Sequence, residues 1–278
     1  MQRKEFTKQQ INEMQELYDS GMSLKIIGEK FGVSRSVITR IFKENDIMIQ
    51  KDNHKYKADY RIFAKIDTPE KAYWLGFLAA DGMIYQRLDS STGGDSVILN
   101  IYQKDREHLE KFKNFMKSNV NIQDYISNNG FSNNTPMCKI VFNSKLLVQD
   151  LIDKNVTPRK SLTLQAPNIK SEYYLPFILG YFDGDGSISH NNTEHIYSLS
   201  IVGTKEILLW INSLLNISET NNLEKRIQND KNTYYIRCGG TKKPYLILKK
   251  LYESCPNIHL DRKYLIYKKL SQSFSKEI

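Results

Sequence analysis

The sequence is poor in cysteine and has no long apolar run. Its 278 residues include three cysteines, Cys138, Cys238 and Cys255, and these form no CxxC pair. This spacing argues against a zinc site and against a disulfide framework, and it favours a reducing compartment. The apolar stretch at 175–182 is too short to cross a bilayer, and it contains Pro176. Because no apolar core follows the basic N-terminal residues, we expect a soluble, cytoplasmic protein without a targeting signal.

Negative charge is also scarce relative to positive charge. The net charge is +9, and the segment from Lys225 onward holds thirteen Lys and Arg against four Asp and Glu, 13 − 4 = +9, which equals the whole excess. A basic run is often only a solvated surface. Here tyrosines and apolar residues interleave with the basic residues at strand and helix spacing, which indicates folded structure. The pattern favours basic strands that face an anionic partner such as nucleic acid.

One nine-residue pattern occurs twice, at 74–82 and at 178–186. Each copy is an apolar helical stretch that ends in Asp-Gly. Small residues recur four positions apart within each copy: Gly76 and Ala80, then Gly180 and Gly184. Residues at this spacing lie on one helix face, where small side chains let two helices approach closely. The pattern predicts that the two stretches pack against each other.

Such a pair would bring Asp81 and Asp185 together at one end of the two helices. Two adjacent carboxylates repel each other, so one would protonate unless a divalent cation lay between them. The alternative is that each Asp-Gly is only a turn that ends a helix. The recurrence of the surrounding block favours a metal site at a pseudo-twofold axis.

The repeat extends well beyond the motif. After each Asp-Gly come two strand-like runs, an amphipathic helix, a probable hairpin and a further helix, in the same order. The segment 155–160 matches 257–263, and the spacing from the motif acid agrees, because 160 − 81 = 79 and 263 − 185 = 78. Two tandem copies of one α/β unit are the simplest explanation. The match also makes Lys160 and Lys263 equivalent.

These motifs resemble the LAGLIDADG homing endonuclease family in its single-chain, two-motif form. The resemblance runs from about Thr68 to the C-terminus. The second motif fits closely, whereas the first has Ala79 where many members, like the second motif at Asp183, have an acid. The resemblance implies an α+β fold in which two saddle-shaped antiparallel sheets flank a central two-helix interface. It implies a monomeric, intron-encoded, site-specific nuclease that cleaves double-stranded DNA, in a bacterial or phage-infected cell.

The resemblance also identifies Asp81 and Asp185 as metal-binding and catalytic residues, with the carbonyls of Ala80 and Gly184 completing the metal shell. Hard oxygen ligands suit two or more Mg²⁺ ions, with Mn²⁺ as a substitute. Two-metal sites activate water and neutralise charge in phosphodiester hydrolysis. Lys160 and Lys263 are candidates to position the water or offset phosphate charge. Their alternative role is to cap helix ends or touch backbone phosphates.

The first fifty residues are predicted to form a separate helix-turn-helix domain. Helical spacing at 8–18, 24–31 and 34–44 surrounds the turn Phe-Gly-Val-Ser, and the segment resembles resolvase-like and sigma-like motifs. The last helix of such a motif enters the major groove. We therefore expect five residues to contact DNA: Ser34, Arg35, Ser36, Thr39 and Arg40. A three-helix bundle that packs on other protein is the alternative.

The predicted organisation is a helix-turn-helix domain at 1–50, a linker at 51–66 and two repeats at 67–165 and 166–278. Besides the nuclease, two functions stay open on the same fold. One is a transcriptional regulator that binds DNA without cleaving it, although the retained motif acids argue against it. The other is an intron RNA maturase.

Overall fold

Helices α1, α2 and α3 form the N-terminal unit. The computed structural model describes residues 6–19, 22–49, 56–86, 94–128, 134–191, 196–218, 224–225 and 234–276. The three helices have these bounds: Lys8–Asp19, Leu24–Lys30 and Arg35–Glu44. Ser23 caps α2 by accepting a hydrogen bond from the Ile26 amide at 3.4 Å, and Gly32 adopts the left-handed φ of 65° in the turn. Buried apolar side chains close the unit: Met14, Leu24, Ile27, Ile38, Ile41 and Phe42.

Residues 56–66, which the sequence predicts as linker, pack against the larger body of the protein. Ile62, Phe63 and Ile66 are buried in its core. The Lys57 amide donates to Asn119 Oδ1 at 2.6 Å, and the Asp59 amide donates to the Met116 carbonyl at 2.8 Å. These contacts place the segment in the body. The rest of the predicted linker, 51–55, lies outside the described residues.

The first repeat begins with the motif helix α4 and continues into a four-stranded antiparallel sheet of order β1-β2-β4-β3. Thr68 caps α4 by accepting from the Lys71 amide at 3.2 Å, and Pro69 occupies the first turn. Its elements are α4 Pro69–Asp81, β1 Gly82–Tyr85, β2 Ser96–Tyr102, α5 Arg106–Phe115, β3 Gln123–Ser127, β4 Thr135–Asn143 and α6 Lys145–Ile152, with 3₁₀ turns at Gln103–Asp105 and Lys160–Leu162.

The second repeat has the same order of elements and the sheet order β5-β6-β8-β7, also antiparallel. Its elements are α7 Tyr174–Asp185, β5 Gly186–Asn191, β6 Ile196–Gly203, α8 Lys205–Leu215, β7 Glu224–Lys225, β8 Tyr234–Gly239, α9 Lys242–Ser254 and α10 Asp261–Lys276, preceded by a 3₁₀ turn at Ser171–Tyr173. Gly82 pairs with Leu99 in the first sheet, and Gly186 pairs with Ile201 in the second. The predicted α+β fold with tandem repeats is therefore confirmed.

Each sheet buries one face, as the alternating apolar residues of its strands predict. In β2 the side chains of Val97, Leu99 and Ile101 are buried, and their neighbours in sequence are more exposed. One continuous core joins both sheets, the motif helices and the flanking helices. Within the described part of the chain, no helix is long and apolar enough to span a membrane.

Candidate active site at the ends of the motif helices

Helices α4 and α7 pack so closely that their backbones touch. A Cβ atom built on Gly76 would lie 1.9 Å from the Phe177 carbonyl oxygen, and one built on Gly180 would lie 1.9 Å from the Tyr73 carbonyl oxygen. The two clashes are reciprocal, as a pseudo-twofold axis between the helices requires. Glycine is therefore needed at both positions for this approach, which the spacing of small residues predicts.

The approach continues to the ends of the helices, where both motif acids lie. A Cβ atom on Gly184 would lie 2.3 Å from Ala80 Cβ and 3.3 Å from Asp81 Oδ2. Helix α4 ends at Asp81 and α7 ends at Asp185. Burial, and then the negative charge of Asp185, raise the pKa of Asp81 to about 7. The two predicted acids thus lie close enough to interact electrostatically.

The two predicted lysines lie against the carbonyl groups at these helix ends. Lys160 Nζ donates to the Ala80 carbonyl at 2.5 Å. Lys263 Nζ donates to three carbonyls at 2.5–2.8 Å, those of Phe182, Asp183 and Gly186, and lies 3.5 Å from the Gly184 oxygen. The C-terminal end of a helix carries partial negative charge, which favours a cation there.

Both ammonium groups are buried, with exposed fractions of 7% for Lys160 and 2% for Lys263. Burial lowers the pKa of Lys160, while the charges of Asp185 and Asp81 oppose this change. Burial likewise lowers the pKa of Lys263 to about 8. Because Ala80 and Gly184 present their carbonyls to lysines, only a second lone pair of each oxygen would be open to another partner.

Two clefts flank the helix ends, one beside each motif acid. The first contains Asp185 and has these further lining residues: Ala79, Ala80, Lys160, Ser161, Leu164, Tyr181, Val202, Gly203 and Thr204. The second contains Asp81 and has these: Phe77, Asn100, Ile101, Tyr102, Asp105, Met137, Gly184, Leu260 and Arg262. The paired clefts give each acid its own opening to solvent.

Arg262 lines the cleft that contains Asp81 and was not among the predicted site residues. Its Nε lies 2.9 Å from Asp105 Oδ2, and its side chain is 45% exposed. The repeated Arg-Lys pair could have indicated this residue, because Arg262 precedes Lys263 as Arg159 precedes Lys160. Arg159 adopts a left-handed φ of 57°, whereas Arg262 lies in the first turn of α10. The two equivalent pairs therefore have different local backbones.

A second unpredicted feature is a buried polar network on one side of the helix pair. Asp183 is 1% exposed, and its Oδ2 accepts from Tyr73 Oη and from the Leu260 amide, both at 2.7 Å. Tyr73 Oη also lies 3.0 Å from His108 Nε2. Burial raises the pKa of Asp183 to about 6 and lowers the pKa of His108 to about 3. Ala79 occupies the equivalent position in the first motif, so the network is asymmetric.

The donor chemistry of the site suits a hard cation. Within the described ranges, no group of three or more His, Cys, Asp and Glu side chains could hold a metal ion. The available donors are the two carboxylates of Asp81 and Asp185 and nearby backbone carbonyls. Oxygen donors fit Mg²⁺ better than zinc. Burial, and then the charge of Asp185, raise the pKa of Asp81, and a cation between the carboxylates would favour the charged form of both acids.

The residues predicted to contact DNA in the N-terminal unit share one face of α3. Ser34, Arg35, Ser36 and Thr39 are exposed, and Arg40 is half-buried. Ser34 Oγ lies 2.8 Å from Ser36 Oγ, and Thr39 Oγ1 donates to the Arg35 carbonyl at 2.9 Å. Arg40 Nε lies 3.7 Å from Glu44. This face is available to a ligand, and its role in DNA binding stays a prediction.

Comparison with known proteins identifies the fold. No family model and no curated protein matches the sequence. A lysine-to-alanine variant of I-SmaMI is 14% identical with a TM-score of 0.50, covering 74% of this chain and 90% of its own. I-SmaMI is described as a LAGLIDADG homing endonuclease. I-LtrWI, a LAGLIDADG homing endonuclease bound to target DNA, is 14% identical with a TM-score of 0.48 and covers 78% and 92%. The chain has the LAGLIDADG homing endonuclease fold, as its motifs predict.

Proposed function

We propose that this protein is a site-specific endonuclease of double-stranded DNA that uses Mg²⁺ at Asp81 and Asp185. One observation carries the proposal: the close contact of α4 and α7 brings both motif acids to one end of the pair, each beside its own cleft. Cleavage of two strands needs two such sites related by a pseudo-twofold axis, because the strands of a duplex are themselves so related. The solved structures with this fold include nucleases bound to DNA.

In this proposal each cleft acts on one strand. Asp81 and Asp185 would hold the ions, with the second lone pairs of the Ala80 and Gly184 carbonyls as further ligands. Mg²⁺ held there would supply Lewis-acid activation of water and neutralise phosphate charge. The paired acids are suited to this because burial, and then the charge of Asp185, raise the pKa of Asp81 to about 7, and a bound cation would favour its charged form.

The basic residues of the clefts have separate roles in the proposal. Lys160 and Lys263 hold positive charge beside the scissile phosphates and orient the attacking water. Arg262 is more exposed than either lysine, and its guanidinium can bind a phosphate oxygen from the rim of the Asp81 cleft. Both lysines also neutralise the carbonyl ends of the motif helices, so their loss affects folding as well as cleavage.

The N-terminal unit serves as a second DNA-binding module in this proposal. Ser34, which precedes α3, and four residues of α3 contact bases in the major groove: Arg35, Ser36, Thr39 and Arg40. Its attachment to the nuclease raises the effective concentration of the catalytic sites near the target. Removal of the unit should therefore weaken binding more than it slows cleavage of bound DNA.

The test is cleavage of the flanking genomic DNA by the purified full chain, in Mg²⁺ and separately in Ca²⁺. Wild type is expected to cut one site in Mg²⁺, and the Asp81→Asn/Asp185→Asn double variant is expected to bind that site without cutting it. Asp153→Asn is a matched control, because Asp153 is exposed and directly follows α6, outside both clefts. Specific binding without cleavage in any metal would refute the nuclease and favour the regulator. Cleavage that survives in the double variant would refute the roles of the two acids.

A further inference from the structure

The outward faces of the two sheets differ in chemistry at equivalent positions. In the first sheet, register places Met83, Ile98 and Val141 side by side in one row across β1, β2 and β4. The equivalent row of the second sheet holds Ser187, Ser200 and Arg237. The repeats align because the Gly82–Leu99 pair corresponds to the Gly186–Ile201 pair. One row is thus wholly apolar, and its counterpart is wholly polar.

The next row reverses this contrast, because Asn100, Lys139 and Gln123 of the first sheet correspond to Val202, Tyr235 and Glu224 of the second. The row beyond it on the first sheet is again apolar. Tyr102, Met137 and Tyr125 form a second apolar and aromatic row on the same face. Met83 is 40% exposed, Tyr85 53% and Tyr102 52%, although large apolar side chains are normally buried. A face that exposes so much apolar surface indicates a binding site.

Some polar side chains on the outward face of the first sheet already interact with each other. Tyr125 Oη donates to Asn100 Oδ1 at 3.0 Å, and Lys139 Nζ lies 5.2 Å from the centre of the Tyr125 ring. Register joins Asn100 and Lys139 to Gln123 in the row between the two apolar rows. The face therefore offers apolar contact on both sides of a polar row.

The cleft next to this face indicates which ligand the face binds. Asn100, Tyr102 and Met137 also line the cleft that contains Asp81 and Arg262. A DNA strand with its scissile phosphate in that cleft would continue over the outward face, where Lys139 supplies positive charge. The major groove exposes one apolar group, the 5-methyl of thymine, and protein apolar side chains contact it there.

We infer that the first sheet recognises its half of the DNA site by apolar contacts with thymine methyl groups, through Met83, Ile98 and Val141. The second sheet recognises the other half by hydrogen bonds from Ser187, Ser200 and Arg237, and an arginine pairs best with guanine O6 and N7. The inference rests on the proposed DNA-binding function. It makes the two half-sites chemically distinct: one rich in A·T pairs, the other containing guanine where Arg237 lies.

The test begins with selection of binding sites from a library of randomised duplexes, using the full chain in Ca²⁺. Thymines of the selected site are then replaced by deoxyuridine, which lacks the 5-methyl group, in one half at a time. Removal of one buried methyl group should weaken binding about fourfold. We expect this loss in one half only, and we expect Ile98→Ser to abolish the sensitivity of that half to uracil. Ser200→Ala, the matched change at the equivalent position, should leave the sensitivity intact.

Three results would overturn the inference. The first is equal or absent sensitivity to uracil in the two halves. The second is enrichment of no sequence at all. The third is a dimer that Ile98→Ser dissociates, because a second copy of the chain would then cover the face. Binding is the quantity measured, so failure of the selected duplex to be cut in Mg²⁺ would refute the proposed nuclease and leave the result on thymine recognition standing.

Discussion

Replacement of Gly76 by alanine should force apart the two helices that hold both motif acids. The added Cβ would lie 1.9 Å from the Phe177 carbonyl oxygen, and real Cβ contacts are essentially never shorter than 3.0 Å. The helices must therefore separate by at least 3.0 − 1.9 = 1.1 Å at this point. The obstructing atom belongs to the backbone, so no side-chain rotation can relieve the clash.

Two opposing effects determine how much Gly76→Ala changes the free energy of unfolding. Overpacking of a well-packed core costs about 1–3 kcal/mol, and a rigid backbone neighbour places this case at about 3 kcal/mol or more. Alanine is more favourable than glycine inside a helix by about 1 kcal/mol. We expect Gly76→Ala to lower the free energy of unfolding by about 2 kcal/mol or more. The separation also displaces Asp81 from Asp185, so cleavage of both strands should fall even where the variant is folded.

Urea denaturation of Gly76→Ala, Gly180→Ala and the double variant measures this effect. Because one separation of the helices relieves both reciprocal clashes, the double variant should be much less destabilised than the sum of the single variants. Gly94→Ala is the control, since a Cβ there meets no atom within 4 Å. It should change stability by less than about 0.5 kcal/mol. An effect of Gly76→Ala no larger than that of Gly94→Ala, or strict additivity, would refute the reasoning.

Two further predictions concern titration and metal. His108 is buried beside Tyr73, and burial lowers its pKa to about 3, so the unfolded chain binds a proton as pH falls below about 6.5 while the folded chain does not. The stability contributed by neutral His108 should therefore be lost as pH falls from about 6.5 towards 3, whereas Asp81 and Asp183, whose pKa values are raised in the folded chain, change stability in the opposite direction. Relative to wild type, His108→Phe should gain stability on acidification from about pH 7 to about pH 4 in urea titrations; an unchanged pH dependence would contradict the assignment. Mg²⁺ should raise the thermal unfolding midpoint of wild type, because it neutralises two carboxylates that repel each other. The midpoint of Asp81→Asn/Asp185→Asn should stay unchanged, because neutral amides do not repel each other. An equal shift in both proteins would indicate that Mg²⁺ binds elsewhere.

The repeat, the helix pair and the sheets could be predicted because their signals are periodic and local. Asp-Gly at the end of an apolar helix, small residues four apart and alternating strands all depend on short stretches of sequence. The recurrence of the block then fixed which stretches were equivalent. The same logic selected Lys160 and Lys263, and the structure brings both to carbonyls at the ends of the motif helices.

Features that depend on tertiary contacts could not be predicted in this way. Residues 56–66 belong to the segment predicted as linker, yet Ile62 and Phe63 are buried in the core. Helix α10 was not predicted, and its aromatic residues pack on α9: the Tyr245 and Phe274 rings lie 4.4 Å apart. Tyr264, Tyr267, Leu270 and Phe274 recur at helical spacing, so the helix itself could have been predicted, but its packing on α9 could not.

Asp183 shows how one such contact can make the two clefts at the motif acids unequal. Its carboxylate binds the Leu260 amide immediately before α10, the helix that carries Arg262 and Lys263. The first motif has Ala79 instead, so in the second repeat alone a motif-helix carboxylate holds the backbone just before the Arg-Lys pair. Asp183→Ala would leave the buried Leu260 amide without its acceptor, at a cost of about 1–3 kcal/mol, whereas the Tyr73 hydroxyl keeps His108 Nε2 within hydrogen-bond distance.

The expected consequence is strand-specific. Asp183→Ala should slow cleavage at the Asp81 cleft, which Arg262 lines, more than cleavage at the Asp185 cleft, and nicked circles should accumulate before linear plasmid. Asp183→Asn keeps one acceptor oxygen for both donors and should largely restore the balance between the strands. Equal slowing of both strands in Asp183→Ala would show that the residue only stabilises the fold. Failure of asparagine to restore the balance would show that the negative charge beside Lys263, and not the hydrogen bond to Leu260, positions this cleft.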